Sequence, residues 1–218
     1  MAESVRVWDW AVRLTHWSFP ILIPALWWTA ENHRMGLHMT LGLVLLGFLT
    51  FRIVWGFVGT RTARFSDFVR GPAKIAAYLK GAAAGTIGHN PLGALSVVAL
   101  LLAMLVQVSL GVFSGDPYDG ATGPLNALVG TGTADTLTEI HHIVANVVFA
   151  LAGLHIAAIA FYYFAKKMNL VKPMITGRKQ VEGGAQGIQP ASFAKVLIVA
   201  LIAAGFAVWV GYGAPPLT

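Results

Sequence analysis

Apolar residues gather in five long runs, at about residues 14–31, 36–58, 91–113, 139–165 and 193–212. Each meets the roughly 20 residues that a helix needs to cross a bilayer. The first run resembles a leader, with Arg6 and Arg13 ahead of it. No small-x-small cleavage site follows it, however, and Trp10, Trp17, Trp27 and Trp28 suit a retained anchor better. Between the runs the pattern changes. Asp67 to Lys80 places Phe68, Ile75, Tyr78 and Leu79 among polar residues, which predicts a short interfacial helix. Gly81–Gly88 reads as small and flexible. Segment 114–138, with five glycines and two prolines, predicts an irregular cap. Segment 177–190, with four glycines, reads as a linker to the last run. No internal repeat is visible.

Composition agrees with a membrane chain. Of the 218 residues 56% are hydrophobic and only 11% charged, against about 25% charged in a soluble domain. A soluble enzyme and a disordered chain are both excluded. The formal charge of +6 is unevenly spread. Arg6 and Arg13 precede the first run, six cations from Arg52 to Lys80 follow the second, and six from Lys166 to Lys195 precede the fifth. Only Arg34 falls on the other side, where Asp116, Asp119 and Asp135 lie. The positive-inside rule then predicts a cytoplasmic N-terminus and, with five spans, a periplasmic C-terminus. The basic charge is a topology signal that also suits contact with membrane lipid. It is not a nucleic-acid signal.

The chain has no cysteine and seven histidines. Disulfides, iron–sulfur clusters, thiolate zinc and covalent c-type haem are excluded. His33 and His89 lie outside the runs, whereas His16, His38, His141, His142 and His155 lie within them. Ionisable groups inside a membrane are costly and usually functional, although a lone one can simply bond a neighbouring helix. His141 and His155 are roughly 21 Å apart along a helix and differ by only about 40° around it. His142 differs from His155 by about 140° and reads as a polar residue at a helix end. By depth, His16 and His155 sit near the inner surface, and His38 and His141 near the outer one. Two stacked His pairs without intramembrane carboxylates suit two six-coordinate b-type haems between facing helices. A proton relay or a metal transporter is the competing reading, but transport sites usually mix His with Asp or Glu. Gly42, four residues after His38, and Gly153, near His155, would make room for a flat macrocycle; helix packing in membranes favours glycine equally.

At these residues the chain resembles the bacterial cytochrome b-561 group that includes the cytochrome b subunits of Ni,Fe-hydrogenases. The resemblance is carried by Val5–Phe19 (VRVWDWAVRLTHWSF), Phe51–Pro72 (FRIVWGFVGTRTARFSDFVRGP), Gly88–Gly93 (GHNPLG), Glu139–His155 (EIHHIVANVVFALAGLH) and Asn169–Lys179 (NLVKPMITGRK). It implies an all-α membrane protein in which a four-helix transmembrane bundle, residues 1–168, holds two b haems. Residues 169–192 would be a cytoplasmic linker and 193–212 a fifth transmembrane helix. The axial ligands carry over onto His16, His38, His141 and His155. At the position of His142, relatives often have Glu. The group moves electrons between a quinone pool and a redox protein on the outer face of the inner membrane. Its partners would be a periplasmic c-type cytochrome or a hydrogenase-like subunit. A stand-alone superoxide:quinone oxidoreductase and a non-redox membrane anchor are the alternatives.

Haem propionates need cationic partners near each surface. Arg13 and Arg52, with Lys166 behind them, would serve inside and Arg34 outside, unless they are ordinary interface charges. His89 precedes Asn90 and Pro91, a helix-start arrangement, and would sit where it could bind or protonate a quinone. The acidic segment 114–138 could dock a basic c-type cytochrome; it is also the simple complement of the positive inner side.

Overall fold

The computed structural model describes residues 3–81, 87–116, 120–181 and 186–216. Most of Gly81–Gly88, Asp119 and part of the 177–190 segment lie outside the described residues. All five apolar runs are helical: α1 (Trp10–Glu31), α2 (Met35–Val58), α5 (Pro91–Phe113), α6 (Thr131–Phe164) and α8 (Phe193–Gly211). Short elements join them: α3 (Phe65–Phe68), α4 (Pro72–Leu79) and α7 (Val171–Thr176), and strands β1 (Glu3–Arg6), β2 (Gly115–Asp116), β3 (Ala121–Thr122) and β4 (Arg178–Val181).

Among the described residues, α2, α5, α6 and α8 are long and apolar enough to cross a membrane. The run at 14–31 forms most of α1 but falls short of the same apolarity. Its tryptophans, Pro20, Pro24 and His16 contribute little or nothing to hydropathy, although the helix is 22 residues long. Two expectations about loops change. Segment 114–138 is more regular than an irregular cap: β2 pairs antiparallel with β3, and α6 begins at Thr131. The stretch read as a linker contains α7 and β4, and β4 pairs antiparallel with β1. The expected interfacial helix is present in two pieces, α3 and α4, split at Gly71 and Pro72.

The chain divides into two compact units, residues 1–14, 52–100 and 151–196, and residues 15–51, 101–150 and 197–218. The first is organised by polar contacts. Asp9 caps α1 by accepting from the Val12 amide at 2.8 Å. The same buried carboxylate accepts from Trp55 Nε1 at 3.1 Å and Thr60 Oγ1 at 2.6 Å. Thr62 Oγ1 donates to the Val7 carbonyl, and the Val7 and Trp8 amides donate to the Gly177 carbonyl. Gly177 closes α7 with φ +77°, a left-handed position where a side chain would also meet the Trp8 carbonyl oxygen. Asn90 caps α5 as the Asn-Pro pair predicts, accepting from the Gly93 amide at 2.7 Å.

The second unit is organised by apolar packing. Val199, Ala203, Ala207 and Val210 form the buried stripe of α8 at helical spacing. A methyl group placed on Gly47 of α2 would lie 3.7 Å from Ala207 Cβ, and one on Gly211 only 2.9 Å from Leu43 Cδ1. Small residues thus let these two helices approach closely, as is common in membranes.

Candidate functional site

His38 lies one turn into α2, and its amide donates to the Arg34 carbonyl. His141 lies on α6 in the third turn after Thr131. Both belong to the second unit, and their ring centres stand 6.3 Å apart with planes at 81°. Two imidazoles sharing one metal, each bonded through nitrogen at about 2.0–2.1 Å, have ring centres about 6 Å apart. The pair therefore has the separation that one iron between them requires.

Hydrogen bonds at the other ring nitrogen support the same chemistry. His38 Nδ1 lies 2.9 Å from the Leu26 carbonyl, with Thr29 Oγ1 at 3.3 Å. His141 Nδ1 lies 3.0 Å from the Gln107 carbonyl. A carbonyl only accepts, so each Nδ1 carries the proton and each Nε2 presents a lone pair. Metal-ligating histidines are held this way, which fixes the tautomer and raises ligand basicity. Gly111 of α5 is needed here, because a methyl group on it would lie 3.0 Å from His141 Cε1. His142 is exposed, and its ring meets His141 edge-on at 6.3 Å.

The other two histidines fall in different units. His155, in the first unit, has Nδ1 at 3.1 Å from Ser96 Oγ of α5. His16, in the second, contacts Trp17 edge-on at 5.2 Å. Among the described residues, no three His, Cys, Asp or Glu gather around a bare metal ion. A pair of imidazoles is a donor set that would fit an iron whose remaining ligands come from a macrocycle.

The cations differ in setting. Arg52 is buried, with Nη1 3.4 Å from the Ala63 carbonyl and its guanidinium 5.5 Å above the Phe65 ring. Arg13 donates to the Ile175 carbonyl. Arg34 is exposed. No atom lies within 4 Å of where a side chain on Gly42 would begin. His89 sits between two aromatic rings, Trp8 at 4.6 Å and Phe68 at 4.5 Å. The segment 114–138 keeps Asp135 on α6, whereas the Asp116 side chain and Asp119 lie outside the described residues.

Sequence reasoning missed Thr29, Ser96 and Gln107, which hold the histidines. The signal was available: each is a hydrogen-bonding side chain in an otherwise apolar run, and Gln107 is the one amide between Pro91 and Phe113.

Apolar helices with paired, tautomer-fixed imidazoles define a membrane protein of the haem-binding class. The family described as prokaryotic cytochrome b561 matches residues 7–177, and the chain belongs to it. No curated protein and no solved structure matches the chain. Membership makes this a membrane electron-transfer protein with b-type haem. The helix α8 lies beyond the matched residues.

Proposed function

We propose that this protein is a di-haem cytochrome b of the bacterial cytoplasmic membrane. In this reading it exchanges electrons between quinone and an extracytoplasmic redox partner, a c-type cytochrome or a hydrogenase-like subunit. The carrying observation is the His38–His141 pair, at 6.3 Å with both Nδ1 atoms tied to backbone carbonyls. When bound, b haem supplies a one-electron ferric–ferrous couple whose potential follows ligation, burial and nearby hydrogen bonds.

His38 and His141 would hold the outer iron through Nε2, the Gln107 amide that lies 3.2 Å from His141 Nε2 giving way to it. His16 and His155 hold the inner one, a pairing that rests on their matched depth in the sequence. Ser96 gives His155 Nδ1 a partner and so orients its ring. Helices α1, α2, α5 and α6 form the haem-holding bundle, and α8 is the additional span. Arg13 and Arg52 face the inner propionates and Arg34 the outer ones, while Gly42 leaves room for the macrocycle. His89, packed between Trp8 and Phe68, binds the quinone headgroup. Fourteen of the fifteen Lys and Arg residues lie in the loops or helix ends assigned to the cytoplasm, which sets the N-terminus there and the C-terminus in the periplasm.

The test is anaerobic mixing of the purified, oxidised protein with a short-chain quinol. The reading expects the α-band of reduced b haem to appear, and then to decay when a soluble c-type cytochrome is added. Failure of quinol to reduce the protein would leave only an anchoring role.

A further inference from the structure

We propose that the paired hydroxyls of Tyr78 and Tyr162 bind a propionate of the inner haem, Tyr162 donating to the carboxylate and Tyr78 donating to Tyr162. The proposal rests on His155 being an axial ligand of that haem.

The two phenol oxygens lie 2.8 Å apart. Tyr162 stands in the last turn of α6, where the Met168 amide folds back onto its carbonyl at 2.9 Å. Tyr78 belongs to α4, of which only Ile75 and Tyr78 are half-buried and the rest exposed. The helix thus turns Tyr78 towards the end of α6.

His155 and Tyr162 are seven residues apart on α6. That is about 10.5 Å along the axis and only about 20° around it. They share a face, with Tyr162 nearer the inner surface. Helix side chains lean towards the N-terminus, which brings the Tyr162 hydroxyl back towards His155. The span is about what separates a haem iron from the carboxylates of its propionates. Those anions turn out of the apolar bundle towards the membrane surface, the direction in which Tyr162 lies.

Two phenols carry two O–H donors. The bond between them uses one, and the accepting oxygen keeps its own hydrogen to give. Among the described residues neither hydroxyl has a second partner. A hydroxyl that accepts one hydrogen bond donates the next more strongly. A carboxylate accepts several hydrogen bonds, so the phenol adds to Arg13 and Arg52. A simple tether of α4 to α6 is the competing role. It predicts easier proteolysis of α4 and no change at the haem.

The experiment is resonance Raman spectroscopy of the purified, haem-loaded, full-length protein, with haem counted in each sample. The propionate bending mode falls in wavenumber when a carboxylate loses a hydrogen-bond donor. Tyr162→Phe is expected to keep two haems and to lower one component of that band. Tyr78→Phe should lower the same component by less, since it removes only the supporting bond. If Tyr162→Phe loses a haem, the shift in Tyr78→Phe decides. Two retained haems with an unchanged band, or a larger shift in Tyr78→Phe than in Tyr162→Phe, would overturn the proposal. His155→Ala is measured in parallel and should lose one haem together with that component. If it keeps both haems, the ligand assignment itself is wrong, which is a different failure.

Discussion

The two units of this chain solve the same problem, fixing helix ends and histidines in an apolar setting, by opposite means. The first unit contains fourteen of the fifteen cations and four of the nine acidic residues, a formal +10. The second contains one cation and five acids, a formal −4. In the first, loops are stitched by side chains, with Asp9 as the common acceptor for Val12, Trp55 and Thr60. Its histidine, His155, is oriented by a serine hydroxyl. In the second, helices meet through small residues, and its histidine pair is oriented by backbone carbonyls of neighbouring helices. A hydroxyl can rotate and can either donate or accept, whereas a carbonyl can only accept. The difference implies that the His38–His141 tautomers are built into helix packing, while the Ser96 hydroxyl can serve His155 as donor or as acceptor.

Substitutions can break that contrast. The largest effect is expected at Asp9. In Asp9→Ala the cap of α1 is lost, Trp55 Nε1 and Thr60 Oγ1 lose the carboxylate they donate to, and an electrostatic partner of buried Arg52 is removed. Breaking such a buried network costs about 3–5 kcal/mol. The thermal transition in detergent should fall steeply, and the His38–His141 haem should be the one retained on partial heating. Loss of the His38–His141 haem first, or of both haems together, would contradict this.

Ser96→Ala comes next. It removes the Ser96 hydroxyl from His155 Nδ1, a hydrogen bond with a net value of about 0.5–1.5 kcal/mol. One haem should be released a few-fold more readily in a transfer assay to an apo-haem acceptor. Thr29→Ala should change much less at the other pair, because the Leu26 carbonyl still accepts from His38. Equal sensitivity of the two haems would remove the distinction between hydroxyl and carbonyl support.

The smallest effect concerns Tyr78 of α4, whose hydroxyl lies 2.8 Å from that of Tyr162. Desolvation, with the Tyr162 hydrogen bond next, pushes the Tyr78 pKa up to about 12. The unfolded chain ionises first, near the usual value of about 10. The contribution of this group is therefore fully present below pH 10 and is lost as pH rises towards 12. An ultraviolet tyrosinate titration should show one late-ionising group that is absent in Tyr78→Phe.

Much of this was legible in the sequence. The apolar runs give four of the long helices within a few residues, because about 20 consecutive apolar positions leave little choice in a membrane, whereas α6 extends well ahead of its apolar run to Thr131. Helical phase favoured His141 over His142, and depth paired it with His38; in the structure the His38 and His141 ring centres lie 6.3 Å apart and His142 is exposed. The pairing of β1 with β4 was not legible. It joins residues 3–6 to residues 178–181, and neither stretch alternates strongly enough to announce a strand. The first run is the weakest of the five: α1 is 22 residues long but carries Pro20 and Pro24, and its apolarity falls short of that of the other four long helices. The supporting residues Thr29, Ser96 and Gln107 escaped because scattered polar residues in an apolar run show no periodicity. Only the helices they face reveal what they do.

The account stands most directly on one measurement, haem stoichiometry and spin state in the purified protein. A pyridine haemochrome assay should give about two b haems per chain, and low-temperature electron paramagnetic resonance should show two low-spin ferric signals, as bis-imidazole ligation requires. A single haem, or a high-spin signal from a five-coordinate iron, would contradict it.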